Sequence, residues 1–324
     1  MKIERRKVVI VGAGNVGSAV LFTLLSSTSI AEIVIIDKNE KKAYGESLDG
    51  SHATAFAYSP NIQVRHGDYS DCSDAGIVVM TAGPSADPSK PVDRNELLKV
   101  NMSVMKEVME NICRYTKEAV IIIVSNPVDA LTYYAMTHFD YPQNKIFGTG
   151  TLLDTARFRR ILSYRYMVDT KNVHGYILGE HGTTAFATWS TVNIAGIPID
   201  LCEKTFRTNT PLDKEAILDE VKKVGYEVLM AKGHTNFGIA KSVERIIQTI
   251  LINELSILPV TTILTGQYDI HDVAISLPCV MTKDGIGSIL EIPLSGIEVL
   301  NLQKSAAFVK AIYDKAIEVV DKKI

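Results

Sequence analysis

The chain predicts an α/β fold, a doubly wound parallel sheet followed by an α+β domain, on three observations. Short runs of β-branched and other apolar residues alternate with helical stretches through the first half. The first of those runs ends in a glycine-rich turn. The length, 324 residues, exceeds what one ordinary core carries, so two domains are expected, 1–148 and 149–324, parting in the stretch Phe147-Gly148-Thr149-Gly150.

Val8-Val9-Ile10-Val11 reads as a buried strand, and it stops at Gly12-Ala13-Gly14-Asn15-Val16-Gly17. That hexapeptide fits G-x-G-x-x-G. Gly12 permits the tight turn, Gly14 lets backbone approach a pyrophosphate, and Gly17 lets the following helix, Asn15 towards Leu25, pack on the strand. The phosphates would sit on the free amides at that helix start. A second strand, Ile33 to Ile36, ends in Asp37, twenty residues past Gly17. Strand, turn, helix, strand and acid in this order predict a dinucleotide site of the Rossmann type. A carboxylate at Asp37 accepts ribose hydroxyls and repels a 2′-phosphate, so NAD is expected rather than NADP.

The remaining elements follow the same alternation. Glu40 to Tyr58 reads as a helix, Gln63 to His66 as a short strand, and Ile77 to Met80 as a buried strand closed by Thr81-Ala82-Gly83. Pro84 to Asp93 carries three prolines and polar residues, a surface loop with the length of a movable lid. Arg94 closes it. In the helix beyond, Leu98, Met102, Met105, Met109 and Ile112 recur at spacings of four and three, a core stripe. Val120 to Val124 is a strand ending in Ser125-Asn126-Pro127, with Pro127 placed to open a helix. Ligands of such sheets bind at the carboxyl ends of strands, where Gly12, Asp37, Gly83 and Asn126 all fall.

In the second half a helix carries Asp154, Arg157 and Arg159. Asp154 and Arg157, three apart, share a face, whereas Arg159 points elsewhere. Val173 to Leu178 reads as one strand before the turn Gly179-Glu180-His181-Gly182. Pro211 is placed to open a long helix that Gly233 interrupts, and another runs from about Asn236 to Leu255. Strand and turn follow from Gly285, then a helix from Asn301 to Lys322.

Composition narrows the function classes. With 34 basic and 37 acidic residues the formal charge is −3 without long blocks of one sign, so neither nucleic acid nor an anionic membrane is an expected partner. Cys72, Cys113, Cys202 and Cys279 are scattered, with no metal-ligand spacing, which fits a reducing compartment and no bound metal. No signal-peptide pattern and no membrane-length apolar run is read, so a cytoplasmic protein is expected.

Taken together, Gly-Ala-Gly-Asn-Val-Gly at 12 to 17, Thr-Ala-Gly at 81 to 83, Ser-Asn-Pro at 125 to 127, Leu-Asp-Thr-Ala-Arg-Phe-Arg at 153 to 159, Gly-Glu-His-Gly at 179 to 182 and Lys-Gly-His-Thr at 232 to 235 resemble the lactate and malate dehydrogenase family, in its bacterial lactate branch. The resemblance spans essentially the whole chain. It implies NADH-dependent reduction of pyruvate to L-lactate, with His181 as acid and base, a role that suits a side chain titrating near neutrality. It implies that Asp154 holds the imidazole, that Arg157 grips the substrate carboxylate in a two-pronged way lysine cannot copy, and that Arg94 polarises the carbonyl. Asn126 and Thr235 would line the nicotinamide and substrate. Cofactor contacts would come from Gly12, Gly14, Asn15, Val16, Gly17, Asp37, Lys42, Tyr69, Thr81, Ala82, Gly83, Val124, Asn126 and Thr149. A homotetramer is implied, as is a fructose 1,6-bisphosphate effector held by Arg159 and His174 at a subunit interface.

Two departures from the family pattern bear on substrate. Eleven positions separate Gly83 from Arg94, about two more than the bacterial pattern, and the specificity position falls at Ala86 or Asp87. With no arginine there, a second substrate carboxylate lacks its counter-charge, which argues against malate, while a small residue would admit bulkier 2-oxo acids. Thr183 stands where the family carries aspartate. The alternatives are a branched 2-hydroxy acid dehydrogenase of the L-2-hydroxyisocaproate kind, a malate dehydrogenase, and an NAD-binding protein without catalysis.

Overall fold

The computed structural model describes residues 6–56, 58–84 and 94–321, with side chains at all of these except 94, 95 and 318–321. In chain order the elements of the first half are β1 (Lys7–Val11), α1 (Asn15–Leu24), β2 (Glu32–Ile36), α2 (Glu40–Ala53), β3 (Gln63–His66), β4 (Ile77–Met80), α3 (Arg94–Tyr115), β5 (Val120–Ile123), α4 (Val128–His138) and β6 (Ile146–Gly148). Those of the second half are α5 (Leu152–Tyr166), β7 (Val173–His174), β8 (Ile177–Leu178), β9 (Phe186–Ala187), β10 (Asn193–Ile194), β11 (Ile197–Pro198), α6 (Ile199–Phe206), α7 (Lys214–Lys232), α8 (Phe237–Leu251), β12 (Ile257–Thr265), β13 (His271–Thr282), β14 (Gly285–Ile289) and α9 (Gly296–Asp321).

Six parallel strands run in the order β3-β2-β1-β4-β5-β6, so the chain reverses direction of winding between β1 and β4. That order makes a crevice at the carboxyl ends of β1 and β4. Both faces of the sheet are covered, which is why its strands read as unbroken apolar runs. Val8 and Ile10 pack with Val20, Leu21 and Leu24 of α1 and with Val243, Ile246 and Ile247 of α8. Val9 and Val11, pointing the other way, pack with Met102, Met105, Met109 and Ile112 of α3. The methionine stripe is therefore core, each of its five members 0% exposed.

At β6 the sheet continues into the second half, because Gly148 pairs antiparallel with Thr261 of β12, and β12, β13 and β14 form a meander beyond. A Cβ on Gly148 would lie 2.6 Å from the Thr132 hydroxyl, so only glycine fits this junction. A separate core around Phe158, Leu162, Ile177 and Ile194 fills the space under α5 and α6.

Several element boundaries differ from the sequence expectation. The helix from Glu40 ends at Ala53, five residues before Tyr58, with Thr54 as its cap. Val173 to Leu178 is two short strands in different sheets, because Gly175, at φ +150°, turns the chain between them. Pro127 is the cap of α4 rather than its first residue. The helix expected at Pro211 begins at Lys214, where the Asp213 side chain accepts from the Ala216 amide at 2.9 Å. α8 stops at Leu251, and α9 begins at Gly296, five residues before Asn301.

Candidate active site

A cavity of about 650 Å3 opens at the carboxyl ends of the parallel strands and is walled from both halves of the chain. Val16, Val124, Asn126 and Thr149 come from the first half; Asp154, Arg157, His181, Thr235 and Ile239 come from the second. Five of the six motifs scattered over the sequence thus supply one wall.

His181 stands in the turn after β8, and that turn is fixed from three sides. Gly179, at φ +89°, exchanges backbone hydrogen bonds with Ser276 of β13, and a Cβ there would come within 2.6 Å of the Ser305 hydroxyl. The Glu180 amide donates to Ser305 Oγ at 2.7 Å, and the Glu180 carboxylate accepts from the Thr184 amide and hydroxyl at 3.0 and 2.6 Å. The His181 amide donates to Asp129 Oδ2 at 2.7 Å. Its ring is held in turn: Nδ1 lies 2.6 Å from Asp154 Oδ2, which leaves Nε2 as the nitrogen free for another partner.

Asp154 lies in the first turn of α5 and is 7% exposed. Its other oxygen accepts from Arg157 Nη1 at 3.0 Å, the contact that a spacing of three on one helix face allows. Burial works to raise the Asp154 carboxyl, but the imidazole and Arg157 outweigh it and hold the group below its ordinary range. The Asp154 charge, against burial, pushes the His181 imidazole up to about 9. Near neutrality the ring therefore carries a proton, next to a guanidinium placed to meet an anion. Such a pair can deliver a proton to a carbonyl oxygen while the arginine binds a carboxylate. Room for that guanidinium comes from α7, where a Cβ on Gly225 would sit 3.2 Å from Arg157 Nη1.

The glycine turn suits a dinucleotide on steric grounds. Gly12 has φ +108°, and a Cβ on it would be 2.8 Å from the Ala82 amide. Gly17 is closer still, its Cβ falling 1.8 Å from the Gly12 carbonyl. Around Gly14, by contrast, an added Cβ meets nothing within 4 Å, and no side chain caps α1. An open backbone at an uncapped helix start is what a pyrophosphate needs. Asp37 braces the turn, its Oδ2 accepting from the Ala13 amide at 2.7 Å and its Oδ1 from the Asn39 amide at 2.8 Å. Thr81 Oγ donates to the Val11 and Gly12 carbonyls, and Ser125 Oγ to the Ala82 carbonyl at 2.6 Å.

Other expected contacts lie outside the cavity wall. Gly12, Gly14, Asn15, Gly17, Asp37, Thr81, Ala82 and Gly83 follow the strand ends beside it. Lys42 is exposed in the first turn of α2, and Tyr69 lies in a short 3-10 turn, where burial and neighbouring acids push its phenol up to about 12. Arg159 points away from the cavity as its helix face requires: Nε donates to the Gly175 carbonyl at 3.0 Å and the guanidinium lies over the Tyr176 ring. That anchors it one residue from His174, which is exposed. The Arg94 backbone opens α3; its side chain, together with Ala86, Asp87 and the expected lid, lies outside the described residues.

Sequence reasoning missed Asp129, Glu180 and Lys222 as parts of this neighbourhood. Asp129 reads as an ordinary acid in a first helical turn, and nothing local shows that it lies under His181. Thr183 offers its backbone carbonyl, which accepts from Lys222 Nζ at 2.9 Å.

Comparison with known proteins agrees with the architecture. Residues 6–148 match the family model for the lactate/malate dehydrogenase NAD binding domain, and residues 151–320 match that for the alpha/beta C-terminal domain of the same family. The L-lactate dehydrogenase 2 of Clostridium acetobutylicum is 55% identical over 312 residues, covering 96% of this chain and 98% of that one. The L-lactate dehydrogenase of Selenomonas ruminantium is 47% identical, with 97% and 98% covered. Among solved structures, the minor L-lactate dehydrogenase from Enterococcus mundtii superposes with a TM-score of 0.90 at 35% identity, covering 97% of this chain and 99% of that chain. The motifs, the strand order and these matches together place the chain in the lactate/malate dehydrogenase family, as an NAD-dependent oxidoreductase acting on 2-hydroxy acids.

Proposed function

We propose that the chain is an L-lactate dehydrogenase, reducing pyruvate reversibly to L-lactate with NADH. The observation that carries this reading is the charged His181–Asp154 pair facing the same cavity as Arg157. Bound at Gly12, Gly14, Gly17 and Asp37 and along Val124, Asn126 and Thr149, NADH supplies the two-electron reductant. Arg157 binds the pyruvate carboxylate and so fixes which end of the molecule faces His181. Asp154 occupies Nδ1, so the proton leaves from Nε2 to the carbonyl oxygen, and the ring ends neutral. In the reverse direction the neutral ring takes that proton back. The family resemblance assigns Arg94 as a second cation for the carbonyl oxygen and Thr235 to the substrate wall.

Pyruvate is preferred to malate's oxidation product, oxaloacetate, because neither Ala86 nor Asp87 provides a cation for a second carboxylate. The two domains divide the work, 1–148 for the cofactor and 149–324 for the substrate. We place the enzyme in the cytoplasm, within fermentative glycolysis, as a homotetramer.

NADH oxidation with pyruvate, oxaloacetate and 2-oxoisocaproate, each across a concentration range, tests the reading. Pyruvate gives the highest kcat/KM; a higher value for oxaloacetate overturns it, and one for 2-oxoisocaproate assigns the branched-chain activity instead. The same assay run with fructose 1,6-bisphosphate tests the effector pair. Arg159 and the exposed His174 offer a guanidinium and an imidazole to a phosphate, so the sugar phosphate lowers the KM for pyruvate. A response that survives Arg159→Gln with His174→Gln refutes that assignment.

A further inference from the structure

Asp129 has no place in the chemistry above, yet it is 3% exposed and lies directly beneath the catalytic turn. It sits in the first turn of α4, and each of its oxygens has one donor. Oδ2 takes the His181 amide at 2.7 Å and Oδ1 takes the Thr261 hydroxyl at 2.5 Å. Thr261 Oγ is also 3.2 Å from Ser276 Oγ, and Ser276 exchanges backbone hydrogen bonds with Gly179 at the start of the turn. One side chain thereby ties α4 and β12 to the residue that carries the reacting proton.

Among the described residues no lysine or arginine forms an ion pair with Asp129. Burying an unpaired carboxylate is unfavourable, and burial accordingly pushes the Asp129 carboxyl up to about 7. For tethering alone a neutral amide would serve. Asparagine at this site would accept from the His181 amide and donate to Thr261 Oγ, whose own proton would turn to Ser276. What the amide lacks is charge.

We propose that Asp129 is a positioning residue of the active site, fixing the backbone of His181 through its amide while its buried charge stabilises the imidazolium. This rests on the reading of His181 as the proton donor. The groups that face the ring or its turn are Asp154 and Arg157 from α5, Asp129 from α4, Glu180 from the turn itself and Lys222 from α7, which reaches the Thr183 carbonyl. Asp154 contacts the ring directly and dominates. Asp129 acts in the same direction from the opposite element, and Arg157 opposes both.

The test is Asp129→Asn, read by NMR titration of the His181 ring in the full-length protein, the resonance being assigned by its loss in His181→Asn. The ring titrates at lower pH by ~1 unit, as expected for removal of one nearby buried charge. In steady state kcat for pyruvate reduction falls roughly tenfold, with KM little changed, and the alkaline limb of the pH profile moves in the same direction. A purely structural role would change stability and leave both the titration and the limb in place, and that result overturns the proposal. If Asp129→Asn does not fold, Thr261→Val removes the donor that helps hold the Asp129 carboxyl charged, so less negative charge faces the ring as it titrates. The ring then titrates at lower pH, and a move upward, or none, overturns the proposal. Because the NMR titration needs no turnover, it judges Asp129 separately from the proposed reaction. Full activity in His181→Asn would defeat the reaction alone.

Discussion

At the scale of residues, the site is governed by which carboxylate is stabilised by what. Asp154 meets two positive groups and stays charged, whereas Asp129 meets only neutral donors and is pushed up from 3.8 to about 7. A carboxyl raised in the folded state contributes stability that is fully present below its unfolded value near 3.8 and lost as pH rises through about 7. The loss is on the order of a few kcal/mol. Asp129→Asn should therefore gain melting temperature relative to wild type at about pH 8, and gain less at about pH 5; equal shifts at both would mean the wild-type group does not titrate with folding. For the cofactor, Asp37 braces the Ala13 amide and is the carboxylate we propose for the ribose hydroxyls, so Asp37→Ser should weaken NADH binding and move the NADPH to NADH ratio of kcat/KM upward by roughly tenfold. An unchanged ratio would leave Asp37 as a brace only.

Among the elements, α1 separates packing from ligand space. The Gly17 Cβ would strike the Gly12 carbonyl at 1.8 Å, so Gly17→Ala must displace the helix from β1 and cost about 1–3 kcal/mol in urea denaturation. Gly14→Ala meets no neighbour, so its stability should stay within ~0.5 kcal/mol of wild type while the KM for NADH rises, because the open space it fills is the one we propose for the pyrophosphate. The reverse pattern, a stable Gly17→Ala and an unstable Gly14→Ala, would contradict this. The elements legible in the sequence, β1, β2, β4 and β5, are strands buried on both faces, whose apolar runs end abruptly at turn residues. β12 and β13 were harder to read because each contains a proline, and Pro259 and Pro278 stand opposite one another in the ladder. Proline removes the donor that a paired strand is expected to use, which argues against a strand until the partner is known. Likewise the break at Gly175 depends on where β10 and β9 sit, so Val173 to Leu178 looks continuous in isolation.

Over the whole molecule, the candidate active site lies where the parallel part of the main sheet meets its antiparallel part. Gly148 of β6 pairs with Thr261 of β12, and Thr261 in turn donates to Asp129, which accepts from His181. Residues of α4 and β12 thus reach His181 through contacts 52 and 132 positions apart in sequence. Motif order pointed to His181, Asp154 and Arg157, which the structure brings into contact, since the last two share a helix turn and the first has a distinctive turn of its own. Such long-range contacts leave no local pattern, so Asp129 stayed hidden. The junction also explains why one cavity is walled by both halves of the chain. The central claim is that His181 delivers the proton at this junction, and the most direct measurement is kcat/KM for pyruvate in His181→Asn, with NADH binding followed by fluorescence. We predict a loss of at least ~1,000-fold with NADH affinity within ~3-fold of wild type, the signature of a group used in the transition state and not in cofactor binding. A variant retaining pyruvate turnover within ~10-fold of wild type would contradict it.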